Sequence, residues 1–595
     1  MDVCLRGELG ERINRAMELK QNERFLRKAY HKALVPCILS VLSGNINILA
    51  DGILVGQRLG TYALAAINFS LPVYLALCVA GSFIVSGTAI CASDAIGRSR
   101  MNQAQDLCKM AVLWCTVVSI AMTVTGLVFL KPLAAFLCPD RKITYLVAEY
   151  VGVTIAGAMP KILIYVPFWF LRLDGRNEKV TFMMLVMGVG NVALDLLFLY
   201  VFPLGVFGAG LASVLSTAAA CVLGFYWLWD KKSCFPLGLR MSCKGISFAD
   251  IFRAGSPSAA NNLFQTLRVS VINALLLQYC GSEMVAAFTA VNCIAAFEES
   301  VTSGVPQAAS AMLGIYNGEH DVESTRLLML RQLKSGIPCG LAFSAVIIAA
   351  AGLIADVYGL NLPLRSAFLW MSLGIIPALL NCILSGYYNV SGRTLWTTGI
   401  IFSRVFVMSC ASLFLLLASG LSPWPFLFFG ELLTLAAWFI VSGIAHRIDP
   451  SCSRFLLQRD ILTEKGSVIN FSVSGDAEAI CGASGKITDF CEDNGMLPKQ
   501  TMRISLAMEE MMTLIAAENT EEVSFDLRVY ALSGVIGIRI RYNGKEFNPL
   551  AYAGEDSDRY MGVRLIESMV EQTLYQRTFG MNTIQIFIEG GIGEP

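Results

Sequence analysis

Long apolar runs alternate with short charged loops over the first 447 residues. Ala63–Ser93, Met110–Leu130, Val206–Trp229, Ser335–Ala355, Ser366–Gly392 and Val405–Gly430 contain no Asp, Glu, Lys or Arg. About 20 apolar residues cross a bilayer as a helix. By that length the chain predicts twelve spans, roughly 34–56, 63–93, 108–130, 144–171, 180–201, 206–229, 253–280, 285–316, 333–355, 364–390, 396–419 and 424–446. After Arg447 the pattern changes. A polar stretch, 448–465, leads to a segment whose period switches between two and 3.6. Ser467–Ser474, Val523–Ala531, Gly534–Tyr542 and Thr583–Glu589 read as strands, the middle two around a Ser533-Gly534 turn. Asp476–Asn494, Pro498–Glu518 and Gly562–Gln572 read as helices. The predicted fold is an all-α polytopic membrane protein followed by a soluble C-terminal α/β sandwich domain.

The first 447 residues are internally duplicated. Pro36 and Pro257, Gly60 and Gly281, Ala65-Ala66 and Ala286-Ala287, and Gly97 and Gly318 all stand 221 apart. Gly175-Arg176 recurs as Gly392-Arg393 at 217. The spans therefore form two pseudosymmetric six-helix lobes, the arrangement in which transporters handle substrate between halves. The predicted organisation is an N-terminal segment 1–32, a first lobe 33–229, a connector 230–249, a second lobe 250–447, a linker 448–465 and the soluble domain 466–589.

Loop charge orients the spans. One set of loops carries Arg98, Arg100, Arg172, Arg176, Lys179, Lys231, Lys232, Arg240, Lys244, Arg326, Arg331 and Arg393; the opposite set has few. Cationic loops stay cytoplasmic, so both termini are expected inside a cell membrane crossed many times. The 595 residues are 55% hydrophobic and 15% charged, which excludes an ordinary soluble enzyme. Lys+Arg and Asp+Glu are both 45, so no basic excess points to nucleic acid. The eighteen cysteines are scattered, many inside apolar runs, and read as small hydrophobes.

Polar residues inside spans are the candidate chemistry. Asp51 lies in the first span, Asn191 and Asp195 stand four apart in the fifth, and Ser213 follows in the sixth. Four residues apart is one helical face. Two carboxylates, an amide oxygen and a hydroxyl are hard ligands for a small cation or carriers of a proton. The bland reading is interhelical hydrogen bonding. Two adjacent carboxylates titrate as a pair, which lets them carry one proton out of phase with a solute. The second lobe lacks these acids: Ile272 stands opposite Asp51 and Ser412 opposite Asp195. Arg268 in the seventh span and Glu298 and Glu299 in the eighth are either a buried ion pair or contacts to a cationic solute in a substrate cavity. Pro36 is either a helix-start proline or a hinge that bends the first span.

The run Asp51-Gly52-Ile53-Leu54-Val55-Gly56-Gln57-Arg58-Leu59-Gly60, the run Gly205-Val206-Phe207-Gly208-Ala209-Gly210-Leu211-Ala212-Ser213 and the duplicated loop glycines resemble the multidrug and toxic compound extrusion (MATE) family over about residues 30–447. The resemblance implies a Na⁺ or H⁺ site at Asp51, Asn191, Asp195 and Ser213, with Asp51, Asn191 and Asp195 as the Na⁺ ligands. It also links Pro36 to bending of the first helix on cation binding.

Residues 466–589 resemble the anti-sigma-factor serine kinases, within the ATPase superfamily shared with histidine kinases. The carriers are Ala507-Met508-Glu509-Glu510, Asn543-Gly544-Lys545-Glu546-Phe547-Asn548-Pro549, Gly562-Val563-Arg564-Leu565-Ile566 and Leu574 to Asn582. The resemblance implies nucleotide contacts at Glu510, Asn543, Gly544, Phe547 and Gly562. The chain departs from it at Leu514, where a Mg²⁺-binding Asn is expected, and at Tyr542, where an adenine-contacting Asp is expected. Neither side chain can replace those groups, so the domain reads as a degenerate, regulatory or protein-binding module.

The combined expectation is a secondary transporter that exports an organic, cationic or amphipathic small solute across the lipid bilayer by antiport with Na⁺ or H⁺. The rival readings are a membrane sensor whose C-terminal module binds a regulatory protein, and an active membrane-anchored serine kinase.

Overall fold

The structure, a computed structural model, describes residues 2–138, 141–230, 233–236, 246–357, 364–449, 466–519, 523–532, 535–552, 560–569, 572–578 and 581–589. They fall into two compact units, Lys32–Glu319 with Leu328–Leu457, and Met1–His31 with His320–Leu327 and Gln458–Pro595.

The larger unit is helical, as an apolar chain must be where no water satisfies its backbone. Its helices, apart from residues 2–31 of α1 and 322–327 of α11, are α1 (Asp2–Gly97), α2 (Met101–Val128), α3 (Leu130–Leu137), α4 (Arg141–Ala156), α5 (Ala158–Leu163), α6 (Tyr165–Leu173), α7 (Asn177–Leu196) and α8 (Gly205–Leu228), then α9 (Phe248–Cys280), α10 (Ser282–Gly318), α11 (Val322–Val357), α12 (Leu364–Val390), α13 (Thr394–Ile401), α14 (Met408–Ala418) and α15 (Phe426–Ile448). Helix α1 is two helices joined at Gly60, whose backbone turns away at φ 80°. Among the described residues nine helices are long and apolar enough to cross a membrane, or ten if α4 with α5–α6, bent by 58°, counts as one span. Twelve spans were expected. The two that fall short, 34–56 and 253–280, are helical within α1 and α9. The first contains residues 48, 49 and 52, whose side chains lie outside the described ones, and Arg253, Asn261, Asn262 and Arg268 dilute the second.

The duplication is written in the backbone. Gly60 and Gly281 have φ,ψ of 80°,−174° and 86°,179°. Gly175 and Gly392 have φ of 77° and 76°, and Ser99 and His320 have φ of 59° and 54°. Left-handed backbone is uncommon outside glycine, so its recurrence at the same repeat positions reflects one turn geometry used twice. Pro36 lies well inside α1, which overturns the helix-start reading; helical backbone runs through it.

In the smaller unit, β1 (Ser467–Ser474), β2 (Ser524–Leu532), β3 (Val535–Tyr542), β4 (Gln572–Thr578) and β5 (Met581–Glu589) make one antiparallel sheet in the order β1-β2-β3-β5-β4. Phe525, Leu527, Val529, Ile536, Ile538, Ile540, Ile584 and Ile586 alternate onto one face. That face packs on Ile480, Ile487, Met508, Met511 and Ile515 of α16 (Ala477–Asp493) and α17 (Pro498–Glu518). Each such fully buried side chain contributes about 1.5–3 kcal/mol. The helix expected over 562–572 is instead α18 (Met561–Met569) followed by β4. Thr573, Tyr575 and Thr578 favour a pleated, half-buried strand over a helix turn. Most of the expected connector and linker, 237–245 and 450–465, and the Ser533-Gly534 turn lie outside the described residues.

Candidate functional site

Three helices of the first lobe bring the predicted coupling residues together. Helix α7 presents Asn191 and Asp195 on one face, and Asn191 Nδ2 donates to Asp195 Oδ2 at 2.7 Å. Helix α8 adds Ser216, whose hydroxyl donates to Asn191 Oδ1 at 3.2 Å. Asp51 comes from α1, with its carboxyl within hydrogen-bonding reach of Asp195. Asp195 and Asn191 are fully buried. One oxygen of each carboxyl, Asp51 Oδ1 and Asp195 Oδ1, is buried with no hydrogen-bond partner. A buried carboxyl oxygen without a donor is costly, and it is the kind of acceptor a proton or a small cation satisfies. Two residues beyond Asp195, Leu197–Val201 widens into a π-helix, a distortion frequent at functional sites.

A residue the sequence reading passed over completes this cluster. Lys161, on α5, is buried; its ammonium donates to Ser213 Oγ at 3.4 Å and sits 5.3 Å from the centre of the Tyr74 ring. It also interacts electrostatically with Asp51. The signal was available: a lone lysine inside an apolar span is a functional-site hypothesis by default. Its presence changes the fit to a cation. The Ser213 hydroxyl already accepts from an ammonium, and the Asn191 oxygen accepts from Ser216. The oxygens left unpartnered are the two on Asp51 and Asp195. No group of three or more His, Cys, Asp or Glu among the described residues is placed to hold a metal ion. This donor set suits a proton shared between two carboxyls better than Na⁺, which needs several oxygens at once.

In the second lobe, Ile272 and Ser412 are both buried, and Ser412 donates to its own helix at Ser409 O. The unexplained charges converge instead on a separate cavity of about 210 Å³ lined by Arg268, Glu298, Glu299, Arg404 and Glu431. Gln265 donates to Glu299 at 3.2 Å, and Arg404 Nε meets both Glu431 oxygens at 2.7 and 2.9 Å. Asn381 holds Glu431 at 2.9 Å. Arg404 and Glu431 were not predicted, although they bracket the uncharged run 405–430. Arg404 lies in a second π-helix, Phe402–Val407. Pro36 belongs to neither cluster; its carbonyl accepts from Thr181 Oγ1 at 2.7 Å.

The predicted nucleotide residues of the smaller unit are tied into its fold. Asn543 Oδ1 accepts from Ser524 N at 2.7 Å, and Tyr542 donates from the core to Phe547 O at 2.5 Å. Gly544, at φ 113°, faces Asn519, which accepts from Lys545 N at 2.8 Å. A Cβ on Gly562 would meet Glu510 Cβ at 2.4 Å. Leu514 is buried among the helices. The aliphatic side chain of Leu514 and the phenol of Tyr542 cannot supply the Mg²⁺ and adenine contacts that the resemblance expected at these two positions.

Comparison with known proteins gives the larger unit its relatives. The MatE family profile matches residues 36–219 and 257–413. The chain is 25% identical over 302 residues to the probable multidrug resistance protein YoeA of Bacillus subtilis, covering 48% of this chain and 64% of that one. It is 28% identical over 285 residues to the FAD transporter of Shewanella oneidensis, covering 46% and 62%. It is 21% identical over 286 residues to the multidrug export protein MepA of Staphylococcus aureus, covering 48% and 62%. The chain thus spans less than two thirds of the length of these relatives. Among solved structures, a MATE in complex with MaL6 superposes with a TM-score of 0.67 at 22% identity, covering 71% of this chain and 97% of that one. An outward-facing multidrug resistance MATE family transporter gives 0.67 at 22%, covering 71% and 96%. At such identity the likeness is one of fold.

Proposed function

The chain belongs to the MatE family, and from that premise we propose that it is a secondary transporter that exports an organic, cationic or amphipathic small solute by antiport with protons. One observation carries the coupling: the buried, unpartnered carboxyl oxygens of Asp51 and Asp195, set against Asn191 and Lys161. Protonation of the pair removes a buried charge and favours one conformer of the lobes. Solute binding favours the other. A shift of this kind needs only different affinities for the two states. Na⁺, the other ion expected from the sequence, is disfavoured by the ammonium of Lys161 at Ser213.

The proposed setting is the cell membrane, with twelve helices crossing in two lobes and both termini cytoplasmic. The distribution of loop cations supports that orientation. For the solute, the supporting feature is the second-lobe cavity, whose three glutamates outnumber its two arginines. The relatives in Bacillus and Staphylococcus, a probable multidrug resistance protein and a multidrug export protein, agree with this choice. The C-terminal module is proposed as a regulatory domain of degenerate ATPase type, binding protein rather than nucleotide. An active serine kinase is disfavoured by Leu514 and Tyr542 in its core.

The test is uptake of ethidium and a panel of further fluorescent cations by everted vesicles under an imposed pH or Na⁺ gradient. Uptake driven by the pH gradient and abolished by Asp195→Asn supports the reading. No uptake of any probe under either gradient would turn the search to a sensor.

A further inference from the structure

The second face of the C-terminal sheet is charged, yet it does not meet water. Arg528 on β2 and Arg539 on β3 are directly opposed in the antiparallel register. Both are almost fully buried, at 3% and 4% exposure. Like charges directly opposite destabilise a strand pair, and burial adds a desolvation cost for each ion. Asp526 offsets part of this: its Oδ2 lies 2.9 Å from Arg539 Nη2 and 3.9 Å from Arg541 Nη1.

A further counter-charge comes from outside the sheet. The segment His320–Leu327 belongs to the same compact unit as residues 458–595. It inserts Asp321, 1% exposed, between the two arginines: Oδ1 is 2.9 Å from Arg528 Nη1 and Oδ2 is 3.2 Å from Arg539 Nη1. Arg528 Nη2 also donates to His320 O at 3.0 Å, and Asn470 of β1 donates to Glu323 at 2.9 Å. Asp321 accepts from Ser324 N at 3.0 Å as well, which caps the start of α11. His320, just before the acid, has left-handed backbone with φ 54°.

This use of the turn is particular to the second repeat. The corresponding turn of the first repeat has the same backbone at Ser99, but the residue that aligns with Asp321 is Arg100. An arginine there could not neutralise Arg528 and Arg539. Stability alone would be served equally well by an apolar face, since buried ion pairs rarely outdo well-packed hydrocarbon. What the pair adds is selection of one partner in one register.

We propose that the charged face of the C-terminal sheet is a docking surface for the acidic turn at 320–323, and that Asp321 is the latch by which the module grips the start of α11. The module and the turn at 320–323 are then joined chiefly at the Asp321 carboxylate.

The test is hydrogen exchange on the full chain in lipid nanodiscs, followed in peptides covering 320–327 and 524–542. Asp321→Asn and Asp321→Arg should each speed exchange about tenfold or more in both segments while α16 and α17 keep their protection. Asp321→Glu should stay close to wild type. The charge-swapped pair Asp321→Arg with Arg528→Asp should regain protection. Unchanged exchange in Asp321→Asn, or a change confined to 320–327, would overturn the latch and leave only a helix cap. Loss of protection throughout the module would overturn it too, because the acid would then be holding the whole fold and not one turn.

Discussion

Gly97 and Gly318, equivalent positions of the two repeats, lie backbone against backbone. A Cβ on either would approach the other's Cα to 2.9 Å, and would meet Ile315 O at 2.2 Å or Asp94 O at 2.4 Å. Backbone atoms cannot yield as a flexible side chain does. Gly97→Ala and Gly318→Ala should therefore each lower the thermal midpoint of the detergent-solubilised protein by several degrees, for about 1–3 kcal/mol of overpacking. Gly60 is the control. Nothing stands within 4 Å of a Cβ built there, so Gly60→Ala meets only its φ of 80° and should cost about 1 kcal/mol. Equal shifts at all three positions would mean that the close approach of Gly97 and Gly318 does not matter.

What the sequence made legible follows from which signals are local. The duplication was readable because glycines at 60, 97, 175, 281, 318 and 392 mark turns and close approaches by residue type alone. Asp51 and Asp195 were readable because a carboxylate in an apolar run stands out, and Asn191 because it stands four residues before Asp195 on the same helical face. Lys161 stands out in the same way, as an ammonium in an apolar run, but it is not an oxygen ligand. Arg404 and Glu431 fall inside the predicted spans 396–419 and 424–446, and nothing local in the sequence pairs them; a π-helix and a cavity bring them together. Strand β4 was hidden because its pairing with β5 is decided by tertiary contact, and its alternation is weak. The latch at Asp321 had no local signal at all. It depends on two strands and a distant turn, more than 200 residues apart in the chain, meeting in one place.

Asp195→Asn keeps the size of the side chain and its contact with Asn191 while removing the carboxyl. An amide cannot take up and release a proton in this range. Uptake driven by a pH gradient should fall at least about tenfold, with ethidium binding in detergent retained. Uptake retained in the variant would show that coupling lies elsewhere, with the second-lobe glutamates the next to test.

Lys161→Met removes the ammonium but keeps an apolar stem of similar length. The Ser213 hydroxyl is then free to face the two carboxyls, and the local positive charge that opposes a second cation is gone. At about 4 Å and an effective dielectric of 20, such a charge is worth about 4 kcal/mol against an incoming cation. The variant should become stimulated by Na⁺ at concentrations that leave wild type unaffected. If wild type itself responds to Na⁺, or the variant does not, Lys161 is not what excludes the ion.

Tyr542 and Leu514 fill the module's core where a magnesium nucleotide would need a carboxylate and an amide. A ligand at 100 times its Kd raises stability by about 2.7 kcal/mol, a shift easily read in a melting curve. Millimolar Mg²⁺ with ATP or ADP should leave the melting of the full chain unchanged. A clear upward shift would restore the kinase reading of this domain.

The latch carries its own pH signature. Burial pushes the Asp321 carboxyl up, but Arg528 and Arg539, with the Ser324 amide, pull it further down, to well below the usual carboxylate range. A carboxyl whose folded value is depressed stabilises fully above its unfolded pKa of about 3.9. That contribution is lost as the pH falls through the depressed folded value. Protection of 524–542, corrected for intrinsic exchange, should therefore be flat from neutral pH down to about pH 4. It should fall only in stronger acid. Asp321→Asn should show lower protection and no such acid-dependent step. A wild-type latch that opened already between pH 5 and 7 would mean that the two arginines do not hold Asp321 ionised, and that another group governs the contact.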